Sequence, residues 1–349
     1  MKRIEYENVL NIETEYLKSL KLLDENENFN ENYKKLNNDW NKIQQNNKFT
    51  FLEKLPNEIK DLLICSYEKL VDYFIISAQE IQNLKKEEKR NLKEFFKKSQ
   101  FNYENFKNLI AEFFINNSDK LKIYSCFYCD CAYTGIFFRS KNKRRMFDVD
   151  HFFPNSQFPM FCLSLYNFVP SCQVCNSRIK GNNSFLKFYN LDLNQIELKN
   201  VLLEISPISK KYDLNNNLII KVYPKIEKVN QKTWNYKPLF LKRSGSYKIF
   251  FDLNEKSNYN KVVKAFALEE RYNNFAIKSQ ALYLMDLKRK YPNSNIKFLE
   301  NIINKNLSEE SNRKTMFSAE EIRNDIFHKE NKNSLLRKLK IDIIDSEIF

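Results

Sequence analysis

The chain has 349 residues, a formal net charge of +14 and a hydrophobic content of 42%. That apolar content excludes a disordered chain, and only 3 glycines and 8 prolines argue against a turn-rich all-β protein. The basic surplus suits an anionic partner, usually nucleic acid, although lysine enrichment from codon bias explains it equally well.

The composition also bears on compartment and class. No run approaches the roughly 20 apolar residues that span a bilayer, and the N-terminus lacks the apolar core of a signal peptide. We therefore expect a cytoplasmic protein without a membrane partner, in which cysteine pairs bind metal more often than they form disulfides. Glycine occurs only at 135, 181 and 245, which excludes a phosphate-binding P-loop.

Residues 1–120 are predicted to form an N-terminal helical region. One apolar helix face recurs at spacings of three and four, and Pro56 suits the first turn of that helix. The face comprises Ile59, Leu62, Leu63, Tyr67, Leu70 and Phe74. The next segment, "KKEEKRNLKEFFKKS", is predicted to be a solvated, charge-rich helix whose charges need no functional interpretation.

Residues 121–190 are marked by clustered cysteines. Two Cys-x-x-Cys pairs, Cys126 with Cys129 and Cys172 with Cys175, can complete the tetrahedron that Zn²⁺ prefers. Four cysteine ligands leave no open position, so we expect this ion to stabilise the fold. Cys131 is an alternative ligand by its position, but it is expected, with Cys162 and Cys65, to be a small buried residue.

The segment between the two pairs has the pattern strand, loop, strand, helix. "MFDVDHFFP" at 146–154 and "YNFVP" at 166–170 are strand-like, and "QVCNSRIK" can begin a helix that ends at Gly181. The order predicts a small α+β element held at both ends by one metal ion.

Within this element, "DVDH" is followed by asparagines 16 and 25 residues after the histidine. About 60 residues of the chain thereby resemble the HNH endonuclease superfamily. The ββα-metal finger of that superfamily carries Asp-His on the first strand, Asn on the second, and His or Asn on the helix. The matching positions are similar to the HNH domain of RNA-guided CRISPR effectors, and the cysteine clip is similar to McrA-type restriction nucleases. These positions are Asp150, His151, Asn167 and Asn176.

The resemblance implies a role for each position. Asp150 and Asn176 would hold one catalytic Mg²⁺ or Mn²⁺ through oxygen atoms, and His151 would deprotonate the attacking water. Asn167 would support the loop that aims His151, and Asp148 would be an auxiliary metal residue. A regular strand directs neighbouring side chains to opposite faces, so a bend or an unusual rotamer is expected at Asp150 and His151.

Basic residues flank the first strand and follow the second cysteine pair. We expect them to contact backbone phosphates, with a solvated loop as the alternative interpretation. The residues are Arg139, Lys141, Lys143, Arg144, Arg145, Arg178 and Lys180. Lys180 lies four residues after Asn176, so it is predicted to share that helix face and reach a flanking phosphate.

The remainder of the chain is predicted to contain two further regions. Residues 191–258 form a short strand and loop region with β-like runs "NNLIIKVYPKI" and "SYKIFFDL", and residues 259–349 form a C-terminal helical region. A long helix is expected to stop at Pro292, and a capping box at Ser318 and Glu321 begins another.

The expected fold class is mainly α with a small α+β insert, a ββα-metal HNH finger between N- and C-terminal helical regions. The resemblance implies a metal-dependent endonuclease that cuts DNA in restriction or anti-phage defence, with RNA not excluded. A nuclease subunit controlled by a separate ATPase, and a zinc-stabilised nucleic-acid-binding module without activity, are the alternatives. The expected protein partner is a second copy of the chain or a separate defence-system protein.

Overall fold

A computed structural model of the chain describes residues 2–46, 48–181, 194–212, 218–224, 247–254, 257–310, 318–327 and 336–345. These residues are mostly helical and include three two-stranded antiparallel sheets, which confirms the predicted class of a mainly α protein with a small β component. Across the described ranges, no helix combines the length and the apolar character needed to cross a membrane.

The chain divides into two compact units. The first comprises residues 1–214 and 258–266, and the second comprises residues 215–257 and 267–349. The predicted boundary at residue 120 falls inside the first unit, and residues 258–266, which begin at the predicted boundary of residue 258, also belong to the first unit.

Asparagine and serine side chains begin many of the helices of the first unit. The side chains of Asn30, Ser66, Asn102 and Asn194 each accept a backbone N–H from the first helical turn, as N-cap residues do. The helices are α1 (Ile12–Ser19), α2 (Glu31–Gln44), α3 (Ile59–Leu63), α4 (Tyr67–Asn83), α5 (Lys86–Lys98), α6 (Tyr103–Asn116), α7 (Gln195–Ile205) and α8 (Tyr259–Ala265).

The prediction of one continuous helix from Ile59 to Phe74 is wrong. The helix is divided into α3 and α4, because the Ser66 hydroxyl accepts the backbone N–H of Lys69 and starts a new helix. Pro56 precedes α3, and its carbonyl oxygen accepts the Trp40 indole N–H at 2.9 Å.

The cysteine-bearing segment contains two hairpins and a short helix. Strands β1 (Ile136–Arg139) and β2 (Asn142–Arg145) form the first hairpin, and β3 (Asp148–His151) and β4 (Phe168–Ser171) form the second. The predicted second strand starts later than expected because Leu165–Asn167 forms a 3₁₀ turn.

The predicted helix after β4 is present, but it is a π-helix at Val174–Lys180. The Gly181 N–H donates to the carbonyl oxygen of Asn176 at 2.7 Å, five residues earlier, which is the π-helical pattern. Gly181 ends the helix with φ of +52°, in the left-handed region that favours glycine. The order of strand, strand and helix therefore matches the sequence-based expectation, with a wider helical turn.

Buried aromatic rings join the N-terminal helices to this segment. Phe153 stacks on Phe74 of α4 with ring centroids 3.9 Å apart, and the Tyr16 hydroxyl of α1 donates to the Leu163 carbonyl at 2.7 Å. Each such buried ring contributes about 1.5–3 kcal/mol relative to exposure. The helices of residues 1–120 and the cysteine-bearing segment thus share one hydrophobic core.

The second unit contains a hairpin and five helices among its described residues. Both predicted β-like runs form strands, β5 (Leu218–Pro224) and β6 (Tyr247–Leu253), which pair antiparallel. The helices are α9 (Leu268–Tyr272), α10 (Phe275–Lys290), α11 (Asn293–Glu310), α12 (Ala319–Phe327) and α13 (Arg337–Asp345).

Two helix signals in the C-terminal region have different outcomes. The long helix predicted to stop at Pro292 is interrupted, because Ala267 has φ of +47° and separates α8 from α9, but α10 does end at Lys290. The capping box is confirmed, since the Ser318 N–H donates to the Glu321 carboxylate at 2.7 Å and the Glu321 N–H donates to the Ser318 hydroxyl at 3.2 Å.

Candidate functional site

The four paired cysteines converge on one point. The sulfur atoms of Cys126, Cys129, Cys172 and Cys175 all lie within 4.8 Å of one another, and the four residues are buried. Cys129 Sγ and Cys172 Sγ are 3.9 Å apart. A tetrahedral Zn²⁺ with Zn–S bonds of about 2.3 Å requires sulfur separations of about 3.8 Å. The cluster therefore fits a metal ion such as zinc.

Backbone N–H groups orient these sulfurs. The N–H of Cys172 donates to Cys126 Sγ at 3.3 Å, and the N–H of Cys175 donates to Cys172 Sγ at 3.5 Å. Such bonds favour the thiolate form, which is the form that binds metal. Cys131 is not in the cluster, because its sulfur donates to the Cys129 carbonyl oxygen at 3.0 Å while its N–H donates to Cys129 Sγ.

Asp150 lies on β3 in a buried polar environment. Its carboxylate accepts the Tyr128 hydroxyl at 2.7 Å, and both carboxylate oxygens lie 2.9 Å from Lys180 Nζ. Burial raises the pKa of the Asp150 carboxyl, whereas Lys180 and Tyr128 both favour its charged form. The carboxylate is thus already matched to a cation, the ammonium of Lys180.

His151 packs in an aromatic pocket beside Asp150. Its ring makes edge contacts with Tyr103 of α6 at 4.6 Å and lies 5.0 Å from the ring of Phe168. Nε2 is 2.9 Å from the Cys162 carbonyl oxygen, so an Nε2–H donates there and fixes the ring. Burial lowers the pKa of His151 to about 4. The imidazole is therefore neutral at neutral pH, with Nδ1 unprotonated, and the lowered pKa makes it a weaker base than an exposed histidine.

Asn167 forms hydrogen bonds that connect the two ends of the loop between β3 and β4. Its side-chain oxygen accepts the Phe153 N–H at 2.8 Å, and its side-chain nitrogen donates to the carbonyl oxygens of Phe153 at 3.1 Å and Phe161 at 3.0 Å. Asn167 is fully buried. These bonds are what a loop-supporting residue requires, and the effect of Asn167 on His151 stays a prediction.

Asn176 of the π-helix lies next to Asp148. Its side-chain nitrogen donates to the Asp148 carboxylate at 3.2 Å, so the amide oxygen is the atom left to coordinate a cation. Asp148 and Asn176 line one cleft with Asp150 and His151. This donor set of carboxylate and amide oxygens suits a hard divalent cation such as Mg²⁺ or Mn²⁺. The Lys180 ammonium on Asp150 shows that this part of the cleft accommodates positive charge.

The cleft has a volume of about 610 Å³ and takes its walls from several elements. Besides β3 and the π-helix, α5 contributes Lys93 and Lys97, the start of α6 contributes Tyr103, and β2 contributes Arg145. The sequence predicted no functional role for α5 and did not indicate that Tyr103 lines the site. The signal for α5 lies in the spacing of Lys93 and Lys97, which places both on one helix face.

The predicted phosphate-contacting residues have two different environments. Most are exposed, on the β1–β2 hairpin or on the outer face of the π-helix. The exposed residues are Arg139, Lys141, Lys143, Arg144, Arg145 and Arg178. Lys180 differs, because it is buried and its ammonium also donates to the His151 carbonyl oxygen at 2.6 Å. Lys180 lines the cleft with Asn176, and the prediction that it reaches a flanking phosphate stays a prediction.

The side chains of Asp150 and His151 follow the alternation of their strand. Asp150 contacts Lys180 of the π-helix and His151 contacts Tyr103 of α6, yet both residues line the same cleft.

Comparisons of the chain with protein-family models, curated proteins and solved structures found no match. The residues of the cleft therefore provide the basis for a functional proposal.

Proposed function

We propose that the protein is a metal-dependent HNH endonuclease that hydrolyses phosphodiester bonds of DNA, acting in the cytoplasm in restriction or anti-phage defence. The observation that carries the proposal is the common cleft of Asp150, His151 and Asn176, adjacent to a four-cysteine cluster. In the proposed ββα finger, β3 carries Asp150 and His151, the 3₁₀ turn before β4 carries Asn167, and the π-helix carries Asn176, in the order that the HNH resemblance implies. Zinc would be structural, and Mg²⁺ or Mn²⁺ would serve the reaction.

Phosphodiester hydrolysis needs an activated water, and the HNH resemblance assigns the acceptance of its proton to His151. The ring is neutral and is held by its bond to the Cys162 carbonyl oxygen. Asp150 and Asn176, with Asp148 beside them, would hold the divalent cation. When bound, this cation would supply Lewis-acid polarisation of the phosphate and charge neutralisation at the leaving oxygen. Asn167 would keep the 152–167 loop in the conformation that positions His151.

Lys180 adds a role that the resemblance does not imply. Its ammonium contacts both oxygens of Asp150 and the backbone oxygen of His151, so it holds the two residues in a fixed relation. It also neutralises a carboxylate that would otherwise be buried with an uncompensated charge. We infer that Lys180 shares Asp150 with the divalent cation or yields that carboxylate to it.

One alternative is favoured by a specific observation. The pairing of Lys180 with both oxygens of Asp150 suits a zinc-stabilised nucleic-acid-binding module without activity, in which the ammonium permanently takes the place of a metal ion. Such a module would bind DNA through the exposed basic residues and leave the backbone intact. The two functions differ in one measurable property, which is metal-dependent strand cleavage.

Nicking of supercoiled plasmid by the purified, zinc-loaded protein in the presence of Mg²⁺ tests the proposal. We expect His151→Ala to abolish nicking while zinc content, measured by elemental mass spectrometry, stays unchanged. His328→Ala removes the other histidine of the chain and serves as the matched control, with activity retained. If His151→Ala cut as fast as the wild type, the mechanism would be wrong. Binding of DNA without cleavage by the wild type would favour the alternative.

A further inference from the structure

We propose that double-stranded B-form DNA binds across the mouth of the cleft, in contact with two cationic walls, which are helix α5 and the β1–β2 hairpin. The proposal rests on the proposed nuclease function and extends it to the form of the substrate and to a wall that the sequence resemblance does not cover. Both walls belong to the first unit, and both contribute side chains to the cleft that contains His151.

The first wall is the outer face of α5. This helix buries Leu92 and Phe96 against the protein, while Lys93 and Lys97 are exposed and line the cleft. The two lysines are four residues apart, so they lie one above the other on the helix. Within the described part of the chain neither forms an ion pair, whereas Lys107 of α6 pairs with Glu104. Two such ammonium groups facing a cleft suit adjacent phosphates of one strand.

The second wall is the β1–β2 hairpin. Its segment, "IFFRSKNKRR", contains five basic residues and no acidic one, and Arg145 at its end lines the cleft. Phe137 and Phe138 are exposed to 45% and 68%, and they stand directly opposite Arg144 and Lys143 in the strand register. Each face of the hairpin therefore presents an aromatic ring beside a cation.

The form of the hairpin selects the form of the nucleic acid. A two-stranded ribbon fits the major groove of B-form DNA, which is about 12 Å wide, while the major groove of A-form RNA is too deep and narrow for side chains to read. The basic residues of the ribbon would contact the phosphates that border the groove, and its phenylalanines would contact base edges such as thymine methyl groups. Lys93 and Lys97 would then hold the backbone next to the phosphate that is cut.

The test uses the full-length, zinc-loaded chain carrying His151→Ala, so that binding is measured without cleavage. Fluorescence anisotropy of a labelled DNA duplex is recorded over a range of salt concentrations for two further variants. Lys93→Gln with Lys97→Gln removes the cationic face of α5. Lys98→Gln is the matched control, because Lys98 is an exposed lysine of the same helix that does not line the cleft. Thermal unfolding verifies that each variant is folded.

We expect the double variant to raise Kd about fivefold and to reduce the slope of log Kd against log salt by about 1 for each lysine. Lys98→Gln should leave both quantities unchanged. Unlabelled duplex DNA should compete better than duplex RNA or single-stranded DNA of the same sequence. Replacement of Phe137 and Phe138 by serine should reduce that preference.

Several outcomes would overturn the inference. Equal effects of the double variant and Lys98→Gln would show that α5 is not a wall of the binding site, while plasmid nicking by the wild type would still support the nuclease proposal. Equal competition by duplex RNA or single-stranded DNA would exclude the groove-bound ribbon. A wild-type protein that neither binds nor cuts DNA would overturn both proposals.

Discussion

The buried pair of Lys180 and Asp150 gives the sharpest test of the site. Replacing a buried, paired lysine should reduce the free energy of unfolding far more than replacing an exposed lysine. The side chains of Lys180 and Asp150 are only 4% and 6% exposed. Lys180→Met keeps an unbranched side chain of similar length, so the substitution removes the charge and its hydrogen bonds while largely preserving the packing. The Asp150 carboxylate is then left with the Tyr128 hydroxyl and the His151 backbone as hydrogen-bond partners, and with no neighbouring cation among its described contacts.

The expected loss of stability follows from that burial. Removing one partner of a buried ion pair costs about 3–5 kcal/mol, because it leaves an uncompensated charge. An exposed pair contributes at most about 1 kcal/mol. We therefore expect Lys180→Met to lower the free energy of unfolding by about 3–5 kcal/mol. Adding Asp150→Asn should restore part of this loss, because the carboxylate that lacks its partner is also removed.

Urea unfolding followed by circular dichroism, with zinc present and without added Mg²⁺, measures these differences. A double-mutant cycle on Lys180 and Asp150 separates their interaction from the single losses. Arg178→Met is the matched control, since Arg178 is an exposed cation on the same π-helix, and we expect a change within about 0.5 kcal/mol. A loss below about 1 kcal/mol for Lys180→Met would refute the reasoning, because it would match an exposed lysine.

Three further predictions concern the cluster, the loop and the two metals. Cys126→Ser should lower zinc content well below roughly one ion per chain, measured by elemental mass spectrometry, whereas Cys131→Ser should not. Asn167→Ala should reduce the free energy of unfolding by about 2–4 kcal/mol in urea titrations, because the buried N–H and carbonyl groups of Phe153 lose Asn167 as their partner. Removal of Mg²⁺ should leave the thermal unfolding midpoint unchanged, whereas chelation of zinc should lower it.

The sequence predicted the cysteine cluster because the requirement is local. A Cys-x-x-Cys turn brings two sulfurs together whatever surrounds it, and two such turns are enough to specify a tetrahedral site. The strand order and the helix end at Gly181 were predicted for the same reason, since each depends on the residues of one short segment. The capping box at Ser318 and Glu321 is another local signal, and the structure confirms it.

The environment of Lys180 and the role of α5 depend on packing between distant segments. Helical spacing placed Lys180 beside Asn176, but only the antiparallel pairing of β3 with β4 and the wider turn of the π-helix bring its ammonium to Asp150, 30 residues earlier. In the sequence, Lys93 and Lys97 follow the pattern of a solvent-exposed helix face. They line the cleft because the neighbouring apolar residues of α5 are buried against other parts of the protein. The sequence of one chain does not show which segment those apolar residues contact.

The charges of the four-cysteine cluster and of the divalent-cation site proposed at Asp150 differ, and this difference explains why their expected dependence on metal differs. The four cysteines place sulfurs within 4.8 Å of one another, so their thiolate forms repel each other unless a cation neutralises them. Asp150 already has a neutralising cation in Lys180, so the fold around it does not require a divalent ion. Metal binding at the cysteines should therefore be coupled to folding, whereas the divalent ion proposed at Asp150 would exchange one cation for another. An exchangeable ion would suit the proposed nuclease site, which would have to admit a phosphate, and a permanent ion would suit a cysteine cluster that holds the strands in place.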